Sequence, residues 1–317
     1  MKGLDAARML YVEKGAAIIH EHFPEYEERI AVGLAGSGSQ CLGFDDEISR
    51  DHDFEPGFCL WLTDEDDARI GIELARKTRS LFGSRVSQSS ALGTAGIGVM
   101  RISDFYRRFT GLPGAPETWQ DWLYLPSYAL AQAVSGEVFR DDLGEFSRIR
   151  HDIVCGMPED VRRKKLAARL ALMAQSGQYN YGWGQYFWRL YTRCLAHGED
   201  GAAMLAVSEF IKNTAEAVFL LNRRHAPYYK WLLRGMRGLE KLGELADALE
   251  FLLTGDNDED GKVLKSQVIE DICAQIVSEL HTQGLSCGNW DYLEKHAFDV
   301  QSHIGNASIR ALHVMEG

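Results

Sequence analysis

The run Ile30-Ala-Val-Gly-Leu-Ala35 stops at Gly36-Ser37-Gly38-Ser39, and this junction constrains the fold more than any other stretch. An apolar run bounded by a small-residue turn predicts a buried strand over residues 30–35. Residues 37–42 then read as the start of a short helix whose N-terminus faces the turn. Glycine has no Cβ, so backbone N–H groups in such a turn can approach an anion closely. Asp51-His52-Asp53 follows after a short segment. In a strand, side chains at i and i+2 leave the same face, so Asp51 and Asp53 present their carboxylates side by side.

The rest of the chain divides at Gly111-Leu-Pro-Gly-Ala-Pro116, where two prolines and two glycines in six residues mark a linker. Before it, apolar spacing predicts a helix over 4–22 and a strand over 51–62 interrupted at Pro56-Gly57. Asp64-Glu65-Asp66-Asp67 predicts a helix start, since acids suit the positive end of the helix dipole. Gly96 to Ile102 predicts a third strand, with a helix after Ser103. Beyond the linker the periodicity is helical, over 161–176, 203–224, 239–253 and 263–280, and no strand is expected there. The expected domains are 1–112 and 113–317, and a chain of 317 residues is long enough for two cores.

Paired carboxylates downstream of a glycine turn suit metal-assisted phosphoryl chemistry. Hard cations are held by one or two carboxylates plus substrate phosphates, and two-metal phosphoryl transfer bridges its ions with carboxylates. On this reading Asp51 and Asp53 hold Mg²⁺ (or Mn²⁺). Ser37 hydrogen-bonds the β- and γ-phosphates of ATP or another nucleoside triphosphate, with Ser39 a second candidate. Gly36 and Gly38 keep the approach open. Arg50, beside the pair, suits a phosphate contact and a structural ion pair equally.

Residues 36–58, with Gly36-Ser37 ahead of Asp51-x-Asp53, resemble the polymerase-beta-like nucleotidyltransferase superfamily, in particular a bacterial group that joins such a domain to a helical C-terminal domain. A second matching stretch is Val218 to Trp231. The resemblance implies an α+β chain: a small mixed β-sheet nucleotidyltransferase domain with flanking helices, then an all-α helical bundle that binds substrate and closes one side of the cleft. It implies transfer of a nucleoside monophosphate, AMP from ATP, to a hydroxyl of a small molecule, as in the similar aminoglycoside-modifying nucleotidyltransferases, or of a protein, with release of pyrophosphate. It implies a third carboxylate on a neighbouring strand. Met100 and Arg101 stand where that acid is sought, which leaves Asp104 and Glu55 as candidates. It marks Glu209 as a base for the acceptor hydroxyl, and Asn222 and Lys230 belong to the matched stretch. In Asn222 to Trp231, a cationic and aromatic run, Lys230 suits a phosphate and Tyr228 or Trp231 suits stacking on a base or a sugar; a helix-to-helix corner with core aromatics is the other reading. Without a third acid, the alternative is a catalytically weakened nucleotide-binding or interaction module that keeps the fold.

Other features read as structural. Glu209, Lys212, Asn213 and Glu216 share a face of one helix and suit a solvated stripe as well as a site. Gln178 to Tyr186 is rich in aromatics and amides, which suits helix packing or sugar and purine recognition. Asp256 to Gly261 resembles half of an EF-hand loop, but Gln267 replaces the bidentate glutamate at position twelve. Arg162-Arg163-Lys164-Lys165 reads as a solvated basic patch. The six cysteines contain no Cys-x-x-Cys pair and read as reduced thiols. A net charge of −12 without a basic tail argues against an extended nucleic-acid interface. With no apolar signal core and no run long enough to cross a bilayer, the expected location is the cytoplasm.

Overall fold

The computed structural model describes residues 1–46, 57–82, 97–177 and 198–317. Its architecture is α+β, a small mixed sheet with flanking helices together with a helical unit. The chain falls into two compact units. The first is Met1–Glu117 with Ala129–Gly156, and the second is Thr118–Tyr128 with Met157–Gly317. The junction expected at 112/113 falls within the first unit, whose return segment supplies the fourth strand.

In the first unit, α1 (Gly3–Leu10) runs through a π-helical turn into α2 (Ala16–His22). The sheet then begins with β1 (Ala31–Ala35), all five residues buried, and α3 (Ser39–Leu42) follows. β2 (Cys59–Leu62) leads into a helix start at α4 (Asp64–Asp66), a π-helical turn and α5 (Ile72–Thr78). Thr63 caps this start by accepting from the Asp66 N–H at 3.1 Å, and Arg29 pairs with the fully buried Asp66 carboxylate at 2.9 Å. The acidic run is therefore a capped helix start, as its position predicts.

β3 (Gly98–Arg101) leads directly into α6 (Ile102–Thr110). After α7 (Trp119–Tyr124) and α8 (Ser127–Val134) comes β4 (Gly136–Arg140), then α9 (Glu145–Cys155). The sheet order is β3-β2-β1-β4. β1 pairs antiparallel with both β2 and β4, and β2 pairs parallel with β3. β4 corrects the expectation of helix alone after the linker. Its five residues are too few to show periodicity, and its pairing with β1 carries a register shift between Val32 and Gly33.

Strand alternation sorts the core. Phe58, Leu60 and Leu62 pack with Tyr11, Ile19 and Leu74 on one face. Trp61 turns to the other face, against Phe105 of α6 and Phe146 of α9.

The helical unit is built around α10 (Glu159–Ser176), which packs against α11 (Asp200–Leu221). It also contains α12 (Leu245–Thr254), α13 (Glu259–Thr282) and α14 (Leu293–Ser302). Leu166, Leu170 and Met173 enter one core with Phe210, Val218 and Ile276. The basic run on α10 is not a solvated patch: Arg162, Lys164 and Lys165 are buried. Lys164 Nζ donates to the carbonyls of His313, Val314 and Glu316 at 2.9, 3.0 and 2.6 Å. Lys165 Nζ donates to the Leu125 carbonyl at 3.0 Å. The acidic segment before α13 serves as a cap, with Asp258 accepting from the Gly261 N–H at 2.7 Å. No described helix is long and apolar enough to cross a membrane.

Candidate functional site

The Gly36–Ser39 turn lies where β1 ends. Register puts the starts of the other three strands at that same end. Gly33 stands opposite Cys59, Cys59 beside Gly98, and Ala35 opposite Gly136. Gly36 has φ +117° and Gly38 φ +114°, values an L-residue side chain disfavours. A Cβ at Gly36 would fall 2.9 Å from Cζ of Phe109, whereas one at Gly38 would meet nothing within 4 Å. The turn is thus packed underneath at Gly36 and open at Gly38. The Gly36 N–H is tied down by the Ser135 carbonyl at 3.2 Å. Ser37 and Ser39 are half-buried, and no described hydrogen bond engages either hydroxyl.

Cations stand near this end. Arg150 of α9 donates from Nη2 to the Gly136 carbonyl at 2.6 Å, and its Nη1 lies 3.5 Å from the Ser135 carbonyl. The charge of Arg108, on α6, acts on the Cys59 thiol. Cys59 and Cys41 are buried, and desolvation pushes both thiols up to about 12. They stay protonated near neutrality and are excluded as nucleophiles. Sequence reading missed Arg150: it sits in an ordinary amphipathic stretch, and only the return of β4 beside β1 brings α9 to the turn.

Arg50, Asp51, Asp53 and the alternative acid Glu55 lie outside the described residues, as does the aromatic stretch from Gln178 to Tyr186. Asp104 is described, and its carboxylate is already engaged. It is exposed on the first turn of α6 and pairs with Arg107 at 3.2 Å. β3 runs opposite to β1, and Arg101 pairs with Leu62, which is level with residue 30. β3 therefore ends at the opposite end of the sheet from Gly36, and α6 packs back toward the turn through Phe105 and Phe109. Among the described residues no group of three His, Cys, Asp or Glu side chains could hold a metal ion.

In the helical unit, Glu209 is exposed on α11. Its polar stripe is divided: Asn213 is buried and donates to the Glu209 carbonyl at 2.7 Å, and Glu216 pairs with Arg169 at 2.7 Å. Asn222 is a structural clamp. Its amide donates to the carbonyls of Val218 (2.8 Å) and Lys241 (2.9 Å) and accepts from the Lys241 N–H at 3.0 Å. Tyr228 and Lys230 are exposed. The Tyr228 ring lies 4.3 Å from that of Tyr229 and 5.9 Å from that of Tyr128, and Lys230 Nζ sits 5.0 Å over the Trp231 ring.

Residues 122–232 match a family described as a domain of unknown function, DUF4037. That stretch contains Glu209, Tyr228 and Lys230 and leaves out the Gly36–Ser39 turn. No curated protein matches the chain. Among solved structures, the chain is similar to a nucleotidyltransferase-like protein from Exiguobacterium sibiricum 255-15. The identity is 12% and the TM-score 0.37, over 93% of this chain and 81% of that one.

Proposed function

We propose that the chain is a metal-dependent nucleotidyltransferase that moves a nucleoside monophosphate, AMP from ATP, to a hydroxyl of a small molecule or protein in the cytoplasm. The acceptor oxygen forms a bond to the α-phosphorus, and the bond to pyrophosphate breaks. The observation that carries this reading is the turn itself: two left-handed glycines, open space at Gly38 and two hydroxyls without a partner among the described residues, at the end of a buried strand. Such a turn receives a phosphate through backbone N–H groups. Ser37 donates to the β/γ end, Ser39 offers a second hydroxyl, and Arg50 adds charge.

Asp51 and Asp53 are the residues that would hold Mg²⁺ or Mn²⁺, and two carboxylates plus phosphate oxygens fit a hard cation. When bound, the ion supplies Lewis-acid stabilisation of the phosphoryl charge. Glu209 is the proposed base for the acceptor proton, Lys230 a proposed phosphate ligand and Tyr228 a proposed stacking surface. The exposure of all three leaves them free to meet substrate.

A second reading, a nucleotide-binding module with weakened catalysis, is favoured by one observation: the Asp104 carboxylate is paired with Arg107. Calorimetric titration of ATP with and without Mg²⁺, followed by label transfer from α-phosphate-labelled ATP to candidate acceptors, separates the two. Mg²⁺-dependent binding with transfer supports the enzyme. Binding without transfer to any acceptor supports the module, and no binding overturns both.

A further inference from the structure

Arg150 stands apart from most arginines of its unit. Arg29 reaches Asp66 at 2.9 Å, Arg101 reaches Asp67 at 2.8 Å, and Arg140 reaches Glu27 at 2.8 Å. Arg150 is half-buried and pairs with no carboxylate among the described residues; there its partners are the two carbonyls of Ser135 and Gly136. The groups whose charge bears on it do not neutralise it. The Tyr106 hydroxyl is committed to the Phe146 carbonyl at 3.0 Å. The Cys41 thiol is protonated, because burial pushes it up to about 12. Glu137 is engaged by Arg8 at 2.6 Å. Desolvation holds the guanidinium below its ordinary range, which is the cost of an uncompensated charge away from water.

The Ser135 carbonyl beside Arg150 is the one that accepts from the Gly36 N–H. The cation is thus one carbonyl away from the glycine turn, held by two backbone acceptors, with further N–H groups of its five still unassigned. A planar guanidinium fork matches two oxygens of a phosphate.

We propose that Arg150 is a phosphate-binding residue of the Gly36–Ser39 turn, placed there by β4 and supplying the positive charge against which an oligophosphate chain is held. The proposal rests on the turn being a phosphate site, and it adds a residue that no motif in the sequence marks.

The test titrates inorganic tripolyphosphate, ATP and adenosine into the wild type, Arg150→Gln and Arg150→Lys, with the unliganded melting temperature of each as the control. Arg150→Gln removes the charge but keeps an amide donor. The expected result is at least tenfold weaker binding of tripolyphosphate and ATP, unchanged adenosine affinity and partial recovery in Arg150→Lys. A purely structural tie would shift all three ligands together.

If the wild type binds tripolyphosphate but not ATP, the nucleotide reading fails and Arg150 is judged on tripolyphosphate alone. If it binds ATP and the variants bind every phosphate probe as tightly, the Arg150 proposal falls and the nucleotide reading stands. If it binds neither phosphate probe, both fall. Should Arg150→Gln fail to fold, Arg150→Lys decides: weakened binding near the wild-type melting temperature supports the proposal, and loss of the fold overturns it.

Discussion

The Trp61 indole lies nearly parallel to the Phe146 ring, with centroids 3.9 Å apart and planes 17° from parallel. Both side chains are fully buried, so this stack fixes α9, and with it Arg150, onto the sheet. Phe146→Ala removes the stack and leaves a cavity, and should cost about 3–5 kcal/mol. Urea unfolding monitored by Trp fluorescence measures it. A loss below ~1 kcal/mol would mean that α9 is held by other contacts.

The two sets of acids should behave differently. Asp51→Ala and Asp53→Ala are expected to abolish Mg²⁺-dependent ATP binding while the fold survives. Asp104→Asn should leave that binding unchanged, because Asp104 is engaged with Arg107 on the first turn of α6. Isothermal titration with and without Mg²⁺ separates these outcomes. Unchanged Mg²⁺-dependent affinity in both Asp51 and Asp53 variants would sink the metal role.

Ser37→Ala should weaken ATP more than AMP. Its hydroxyl has no described partner to lose, so melting temperature without ligand should hardly move. A hydrogen bond to a charged group is worth ~1.5–3 kcal/mol, or roughly ten- to a hundred-fold in affinity. Equal losses for ATP and AMP would place Ser37 at the sugar or the base instead.

Lys165 gives the helical unit a pH signature. Burial pushes its ammonium down to about 8. Between pH 8 and 10.5 the folded state therefore binds fewer protons at this group than the unfolded chain, and its contribution to stability rises with pH. Buried Cys41 and Cys59, both pushed up to about 12, act in the opposite direction above pH 9. The comparison needed is wild type against Lys165→Met. From pH 8 to 10 the wild type should gain on the variant by up to ~1.4 kcal/mol per pH unit. Parallel stability curves would show that Lys165 titrates normally.

Features visible in the sequence were those set by neighbours in the chain. The strand before Gly36, the turn itself, the capped start at Thr63–Asp66 and the strand from Gly98 all follow from local pattern and turn chemistry. Features that stayed hidden depend on distant partners. Lys164 is buried because the carbonyls of His313, Val314 and Glu316 accept its hydrogen bonds. Arg150 reaches the turn only because β4 returns to β1 across a long loop of chain.

The stretch from Asn222 to Trp231 combines a structural clamp at Asn222 with the proposed phosphate ligand Lys230, and single substitutions can pull the two apart. Asn222→Ala deletes two hydrogen bonds that join the end of α11 to Lys241 and a third to the Val218 carbonyl. It should lower stability by roughly 1–3 kcal/mol, since backbone groups are left without partners, yet leave the ATP-induced thermal shift in place. Lys230 is exposed, and its one described contact is the face of Trp231. Lys230→Met keeps the apolar stem and removes the charge, so the unliganded melting temperature should stay within about a degree. If Lys230 neutralises phosphate charge, the shift produced by ATP should fall sharply, because that shift reports binding to the native state alone. Differential scanning fluorimetry of both variants with and without ATP and Mg²⁺ gives the four readings needed. An intact ATP shift in Lys230→Met would return the whole stretch to a structural role. The search for phosphate ligands would then be confined to the unit that carries Gly36, Ser37 and Arg150.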